Sequence, residues 1–543
     1  MKADTLALIQ AAVSAHSEYW DNQRPLLRKL RALYSTRYWD GISTPVDEAM
    51  PYRVETSDAF AFIESFVSTL FTRDPAVEVG YDASAEGSPE VARAAANVFL
   101  HRQRESLERA TRLALIYPMA FVKLAPRDST DPINRVAVRA VSPWEVILDR
   151  DAERWDEQRF VGHRYYLPIS EAKKRFGNKD FKAVQRNDYF ENDVNARKHD
   201  AAKVPKTHLY VEIVEMYDME EDRLAFWSPQ YNEGRKLLEA ATIPVRSYDD
   251  EPMCSIIPLY YAYQPDRPMD GYSALSRVYD QFSEKNIYRT FMANATRRDS
   301  RQFLVRSGAF SAEQMQKLCS GMDGAYAETD SQEPFGNLIA AVPNVALSSN
   351  LDRYLGQIES DIQVASAISV FTRGEASKAT ATEITALSSY AASSVGKMAR
   401  ERDAMIERLS KTYIRMLHLL TDEKDKAVVV VDNTPTIIST AMLDGRFRYA
   451  ALDQAATPLS DALKRQQFLS ILPVLGQVGV STQRIKEYVI REFDLPESFL
   501  EEDKPEPTRL PSGADVPTGP EGEGIQRTPA EMLAQNLQSA PRG

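Results

Sequence analysis

The sequence is poor in the residues that most metal and disulfide sites require. Its 543 residues include two cysteines, Cys254 and Cys319, and six histidines. Two cysteines are too few for a disulfide framework or a cysteine-based zinc site. The histidines show neither HxxxH nor HExxH spacing, which argues against a histidine metal site. We therefore expect free thiols in a reducing compartment, with no bound metal and no cofactor.

Long apolar runs and glycine-rich phosphate loops are also missing. No apolar stretch approaches the ~20 residues that span a bilayer, and polar residues interrupt the apolar pattern at the start of the chain. Neither GxxxxGK[ST] nor GxGxxG occurs, and the stretch from Ser320 to Gly324 is interpreted as a turn. We expect a soluble protein of intracellular origin, with no membrane partner and no enzymatic activity.

Positive charge is in deficit. The chain has 66 Lys and Arg against 78 Asp and Glu, a formal net charge of -12. This balance argues against tight nonspecific DNA binding over most of the surface, because such binding depends on Lys and Arg at the phosphates. A local basic patch stays possible. At 43% hydrophobic and 27% charged residues the composition is that of a globular protein, long enough for about three or four domains.

Apolar periodicity predicts an α+β chain that is mainly helical. The first forty residues are predicted to be helical with a break at Pro25, since proline lacks the N–H that a helix interior requires. Leu275, Val278, Phe282, Tyr288, Phe291 and Met292 describe one apolar stripe on a later helix. The other predicted helices cover 57–71, 89–117, 272–299, 311–319, 350–368, 381–421, 461–475 and 482–493.

Strand signals interrupt this helical pattern. Short runs of alternating or β-branched residues predict strands at 120–124, 136–141, 143–148, 207–217, 224–227, 256–263, 302–306, 428–431 and 446–450. From Glu501 the chain is rich in proline, and its composition predicts a flexible tail.

Two charged groups are candidates for function. Asp149 and Asp151, with Glu220 in the acidic run that ends at Asp222, could bind a divalent cation, although a solvated hairpin tip is the more ordinary interpretation. Four arginines lie within ten residues: Arg297, Arg298, Arg301 and Arg306. Stabilisation of a helix C-terminus explains the first two, while a docking or DNA-facing patch explains all four, and the two interpretations are evenly balanced.

Three motifs and the order of the predicted elements resemble the portal proteins of tailed bacteriophages. The motifs are Pro258–Tyr263 (PLYYAY) with Gly271–Ser276 (GYSALS), Ser142–Asp149 (SPWEVILD) with Phe160–Tyr165 (FVGHRY), and Thr380–Ile384 (TATEI). The likeness spans roughly residues 1–500, and its specificity lies in the order of elements: a body, a helix, a small insert, a returning helix, a polar loop and a long helix.

The resemblance implies a portal-type ring subunit, usually one of twelve, at one capsid vertex. Double-stranded DNA would pass through the channel, and the terminase large subunit, tail adaptor proteins and the major capsid protein would dock on the ring. The short insert favours a short-tailed phage, with the protein assembled in the host cytoplasm and located in the virion. The implied regions are 1–271 wing, 272–299 first stem helix, 300–349 clip, 350–368 second stem helix, 369–380 tunnel loop, 381–456 wing helix and strands, 457–500 crown and 501–543 tail.

The resemblance also assigns candidate site residues. Arg373, Glu375 and Lys378 would form a DNA-facing tunnel loop that touches phosphate weakly, although an ordinary inter-helix loop is the alternative. Asp352, Glu359 and Asp361 would line the channel and repel DNA. The four arginines would form the docking site for terminase or adaptors.

Two other functions remain open at this point. One is a metal-dependent nuclease or hydrolase that uses Asp149, Asp151 and Glu220. The other is a different structural ring protein of the capsid or tail, which the length of the chain disfavours.

Overall fold

A computed structural model describes residues 5–40, 52–82, 86–184, 189–190, 209–299, 303–320, 328, 332–341, 349–366, 381–422, 425, 427–431 and 434–452. The chain divides into two units, Met1–Asp461 and Ala462–Gly543, and every described residue belongs to the first. The predicted tunnel loop, the crown helices and the Pro-rich tail lie outside the described residues.

The described residues form twelve α-helices. They are α1 (Thr5–Tyr34), α2 (Asp58–Leu70), α3 (Pro89–Arg102), α4 (Arg104–Ile116), α5 (Ile169–Phe176), α6 (Ala274–Arg277), α7 (Tyr279–Asp299), α8 (Ala312–Ser320), α9 (Phe335–Leu338), α10 (Ser349–Ser366), α11 (Ala381–Leu420) and α12 (Thr440–Leu443). Within this part of the chain, none of these helices combines the length and apolar content that a membrane span requires.

Sixteen strands accompany them in the same residues. They are β1 (Val77–Tyr81), β2 (Ala120–Pro126), β3 (Val136–Val141), β4 (Val146–Leu148), β5 (Phe160–Pro168), β6 (Tyr210–Asp218), β7 (Arg223–Trp227), β8 (Leu237–Thr242), β9 (Ile256–Leu259), β10 (Tyr263–Gln264), β11 (Arg267–Gly271), β12 (Phe303–Val305), β13 (Ile339–Ala341), β14 (Val428–Val431), β15 (Thr434–Ile437) and β16 (Phe447–Ala451).

All of these strand pairs are antiparallel. The largest sheet has five strands in the order β4-β5-β6-β7-β8, and a second sheet has the order β3-β2-β9. The remaining strands form the pairs β1-β16, β10-β11, β12-β13 and β14-β15. Alternate residues of a strand point to opposite faces, and both faces of the five-stranded sheet are covered. Val214 and Met216 pack with Ile9 of α1, whereas Val211 and Ile213 on the other face cluster with residues of α5.

The predicted fold class, a mainly helical portal-type subunit, is wrong. The described chain is 48% helix and 24% strand, and its antiparallel sheets include the five-stranded one. Strand β5, which lies within that sheet, was missed because its buried positions include His163, a polar residue that breaks the apolar signal of a strand. Strand β1 was missed because it is short and pairs with the distant β16.

Several helix predictions are confirmed and three are wrong: those for the break at Pro25, for 89–117 and for 272–299. Helices α10 and α11 match the predicted 350–368 and 381–421 within two residues at each end. Helix α1 continues through Pro25, because Trp20, Leu27 and Leu30 on both sides of it are at most 2% exposed and their packing offsets the lost hydrogen bond. The predicted helix 89–117 is divided at Gln103.

The main core joins helices that are distant in sequence. Phe99 of α3 stacks on Tyr413 of α11 with ring centroids 3.7 Å apart. Arg402 of α11 is 1% exposed and donates a hydrogen bond to the carbonyl of Leu70, the last residue of α2. A buried cation at this position satisfies a carbonyl that the helix end leaves without an intrahelical partner. This core is the support on which α7 and α10 are held.

Candidate functional site

Helix α7 buries a polar side. Asn286 is 0% exposed, Thr290 1%, Asn294 6% and Lys285 8%. A surface helix ordinarily turns its apolar residues inward and its polar residues to water, so these polar residues require partners inside the fold.

A segment of the chain before α2, residues 52–56, provides those partners. Its alternate residues pair with side chains four residues apart on α7. The pairs are Tyr52 with Asn294, Val54 with Thr290 and Thr56 with Asn286, with donor–acceptor distances between 2.6 and 3.2 Å. Two residues of extended chain advance about 6.8 Å, and four residues of helix advance about 6.0 Å. Every second residue of the segment therefore lies close to every fourth residue of α7.

These hydrogen bonds join backbone to side chain in both directions. The Val54 N–H donates to the Thr290 hydroxyl at 2.9 Å, and the same hydroxyl donates to the Val54 carbonyl at 3.1 Å. Asn294 likewise accepts from the Tyr52 N–H and donates to the Tyr52 carbonyl. Such paired contacts fix the rotation of α7 about its own axis.

An adjoining side of α7, one residue on from the buried polar positions, exposes large apolar residues beside the charged Glu284 and Arg289. Ile287 is 47% exposed and Phe291 is 44% exposed, one helical turn apart. Tyr354 of α10 is 42% exposed, lies with its ring centroid 5.4 Å from that of Tyr288, and donates a hydrogen bond to Glu284. We call Ile287, Phe291 and Tyr354 the α7 face.

Lys285 ties α7 to its neighbours. Its ammonium lies 2.8 Å from a carboxylate oxygen of Asp58 at the start of α2 and 3.0 Å from one of Glu359 on α10. Burial acts to lower the pKa of Lys285, but hydrogen bonds to the two carboxylates outweigh it and raise the pKa above its ordinary value. The ammonium therefore stays charged and holds three helices together.

Helix α10 packs on α7 through two buried isoleucines and presents acidic groups outward. Ile358 and Ile362 are 2% and 7% exposed. Glu359 and Asp361 are exposed, Glu359 while still bound to Lys285. Asp352 is a residue of α10 whose side chain lies outside the described residues. Two of the three predicted channel-lining residues are thus placed on an exposed surface of one helix.

The α7–α10 pair is suited to contact with another macromolecule. Exposed apolar side chains on a helix whose rotation is fixed by its buried polar side gain free energy when another surface covers them. On the adjoining helix the exposed Asp361 carboxylate repels a phosphate backbone, whereas the Glu359 carboxylate is paired with Lys285.

The predicted apolar stripe on α7 is only partly buried. Leu275, Val278 and Phe282 are at most 2% exposed, but Phe291 faces outward. The helix predicted from Tyr272 is also interrupted at Val278, between α6 and α7. The polar residues at 286, 290 and 294 were missed as a buried set, although their spacing of four residues is visible in the sequence.

The arginine cluster is only partly described. Arg297 and Arg298 are helical residues of α7 whose side chains lie outside the described residues, and Arg301 lies outside them altogether. Arg306 forms an ion pair with Glu333, with both side chains about half exposed. The only described side chain of the cluster is therefore neutralised by a partner, and the predicted tunnel-loop residues Arg373, Glu375 and Lys378 are not described.

The three carboxylates considered for a metal site do not face one another as a group, and Asp149 is paired with an arginine. Asp149 is 3% exposed and accepts a hydrogen bond from the Arg159 guanidinium at 3.0 Å. This arginine lowers the pKa of the Asp149 carboxyl. Asp151 and Glu220 are exposed. Among the described residues, no three His, Cys, Asp or Glu side chains are grouped to hold a metal ion.

A second polar cluster is buried between the two larger sheets and was not predicted. The Lys123 ammonium lies 2.7 Å from Glu215 and 3.0 Å from Nδ1 of His163. Tyr217 donates a hydrogen bond to Glu215 at 2.8 Å, and its hydroxyl lies 2.7 Å from that of Ser255. All five residues are at most 8% exposed, which closes the cluster to a substrate and makes it a joint between β2, β5 and β6.

Comparison of the chain with models of protein families gives no match, and comparison with curated proteins gives none either.

Proposed function

We propose that this chain is the subunit of a ring at one vertex of a tailed-phage capsid, through which double-stranded DNA is packaged and ejected. The observation that carries this proposal is helix α7, which buries Asn286, Thr290 and Asn294 and exposes Ile287 and Phe291. Such a helix is stable at a surface when a second protein surface covers its apolar side.

The acidic residues of α10 support passage of DNA and disfavour its retention. Glu359 and Asp361 are exposed beside the α7 face, and the whole chain carries a net charge of -12. Tight DNA binding depends on Lys and Arg that displace counterions, so an acidic wall lets a duplex slide. Support for the proposal comes from this helix pair and from the sequence motifs, and not from the fold class.

The partners belong to the same proposal. Following the resemblance, twelve copies would form the ring, with the terminase large subunit, tail adaptor proteins and the major capsid protein docked on its outside. Four arginines are proposed to take part in docking: Arg297, Arg298, Arg301 and Arg306. A carboxylate of the docked protein would compete with Glu333 for the Arg306 guanidinium. Arg373, Glu375 and Lys378 are proposed to touch the DNA.

Mass photometry of the purified chain, followed by negative-stain imaging, tests the ring. We expect a closed ring with a central hole, of about twelve times the monomer mass, at micromolar concentration. A stable monomer under these conditions would overturn the proposal. Removal of Arg373 and Lys378 by alanine substitution should shorten packaged DNA while leaving ring assembly intact, and normal DNA length would contradict the role of the loop.

The nuclease alternative has no observation in its favour, because Asp149 is bound to Arg159. A magnesium-dependent cleavage assay on duplex DNA separates the two functions. Cleavage that is lost in Asp149→Asn would support the nuclease and contradict the ring proposal.

A further inference from the structure

The hairpin formed by β14 and β15 has an apolar face open to solvent. Val428 and Val430 on β14 are 52% and 62% exposed, and Ile437 on β15 is 55% exposed. Val428 is paired with Ile437 across the strands and Val430 with Pro435, which is also exposed. Directly paired residues of an antiparallel sheet lie on the same face, so these four side chains form one continuous surface, the hairpin face.

The hairpin is held firmly on the body of the protein. Val429 and Ile438 on its other side are each 2% exposed within the main core. The Ile438 N–H donates to the Ala427 carbonyl at 2.8 Å and closes the base of the hairpin. Next to that base, the Arg135 guanidinium binds Asp425 at 2.8 Å. The hairpin face is therefore presented in a fixed orientation.

The chemistry of the hairpin face selects its partner. The described hairpin residues 427–431 and 434–438 include no charged side chain. A phosphate backbone is recognised through Lys and Arg, so this face does not suit DNA. A β-surface of valine, isoleucine and proline suits an apolar protein surface.

The exposed area fits one side of a subunit contact. The three measured side chains together expose roughly 300 Å² of apolar surface, taking ~150–200 Å² for a full aliphatic side chain. A standard interface buries about 800 Å² per partner, of which about 60% is apolar, so the hairpin face supplies more than half of the apolar part.

A ring contact joins two different faces of identical chains, so each subunit needs two such faces. We take the α7 face as one, and its three side chains expose roughly 250 Å². We propose that the hairpin face is the second, covered in the assembly by a second copy of this chain. This inference rests on the proposed ring function.

Cysteine accessibility tests the inference directly. Val430→Cys places a thiol in the centre of the hairpin face, and Glu239→Cys places a matched thiol on an exposed position of β8. Maleimide labelling of each introduced thiol, read by peptide mass spectrometry, is compared between the assembled and monomeric fractions of the same preparation. We expect the Val430→Cys thiol to be labelled at least about tenfold more slowly in the assembled fraction, as for a thiol in a packed interface. Labelling of the Glu239→Cys thiol should be the same in both fractions.

Each outcome separates the inference from the function on which it rests. Equal labelling of the Val430→Cys thiol in ring and monomer would overturn the hairpin contact and leave the ring intact. Absence of any assembled fraction in the wild-type chain would overturn the ring and the contact together. Protection of that thiol only after a different purified virion protein is added would overturn the assignment to a second copy.

A second variant keeps the test independent of labelling chemistry. Val430→Thr with Ile437→Thr retains β-branched side chains, which favour strands, and adds hydroxyls to the exposed face. We expect the concentration for half-assembly to rise at least about tenfold, because burial of the hydroxyls without partners opposes the contact. An unchanged concentration would contradict the inference.

Discussion

The exposed side of α7 gives the most direct prediction. Ile287→Ser with Phe291→Ser removes the two side chains that are 47% and 44% exposed on that helix. Together they expose roughly 170 Å², which is worth about 4 kcal/mol when buried at ~25 cal/mol per Å². Because an interface seldom recovers the full transfer free energy, we expect a loss of about 3 kcal/mol per contact, about 100-fold in affinity.

The same substitutions should leave the folded monomer nearly unchanged. Serine and isoleucine have similar helix propensities, and exposed positions usually change stability by no more than about 0.5 kcal/mol. The assay is a dilution series by mass photometry, combined with urea unfolding of the monomeric fraction. Leu26→Ser is the matched control, because Leu26 is 43% exposed on a different helix, α1. The control should assemble as the wild type does.

Two results would refute this reasoning. If the double variant forms rings at the same concentration as the wild type, the α7 face is not a subunit contact. If the urea midpoint falls by as much as assembly weakens, the two residues stabilise the fold itself, and the exposed side of α7 is not set apart for a partner.

Three further predictions concern the support of the site. Lys285→Met should lower the free energy of unfolding by about 1–2 kcal/mol in urea titrations, because the Asp58 and Glu359 carboxylates lose their shared cation but are partly screened by water. Glu359→Gln should lower the free energy of unfolding by less, because Lys285 keeps its ion pair with Asp58. Burial lowers the pKa of His16 to about 4, so the stability that depends on its neutral form is complete above pH 6.5 and is lost as the pH falls from 6.5 to about 4, at up to ~1.4 kcal/mol per pH unit. In His16→Gln, the thermal unfolding temperature should depend less on pH over that range. An equal dependence in the variant and the wild type would contradict the assignment. Gly271→Ala should prevent folding, because the new Cβ would overlap the Pro118 carbonyl oxygen, whereas Gly80→Ala, with no atom within 4 Å, should express normally.

Elements with local signals could be predicted from the sequence. The long helix α11 and the returning helix α10 were located within two residues because apolar residues recur at helical spacing along them. Strand β6 was located because its residues alternate in polarity along the chain. The strand predicted at 428–431 was also found, as β14.

Elements that depend on distant partners could not be predicted in the same way. The spacing of Asn286 and Thr290 is visible in the sequence, but the segment that buries them is not, since Thr56 and Val54, some 230 residues earlier, meet them only in the folded protein. His163 on β5 is similar, because its buried place depends on Lys123 of a different sheet. Apolar periodicity indicates which side of a single helix or strand tends to be buried. Whether Asn286, Thr290 and His163 are buried depends on the other elements that pack against them.

The polar contacts that hide one side of α7 leave two large apolar residues exposed on an adjoining side, among charged ones. On its polar side the helix is bound to the body through hydrogen bonds of Asn286, Thr290 and Asn294, and gains little there from hydrophobic burial. Ile287 and Phe291, which are residue types usually buried, are instead exposed. Phe282 on the same helix is buried and Glu284 and Arg289 are exposed, as in an ordinary surface helix, so Ile287 and Phe291 are the departure from that pattern. Ile287 and Phe291 gain free energy when another protein surface covers them. The buried asparagines and threonine then set the direction of this exposed side, because their hydrogen bonds are lost if the helix rotates.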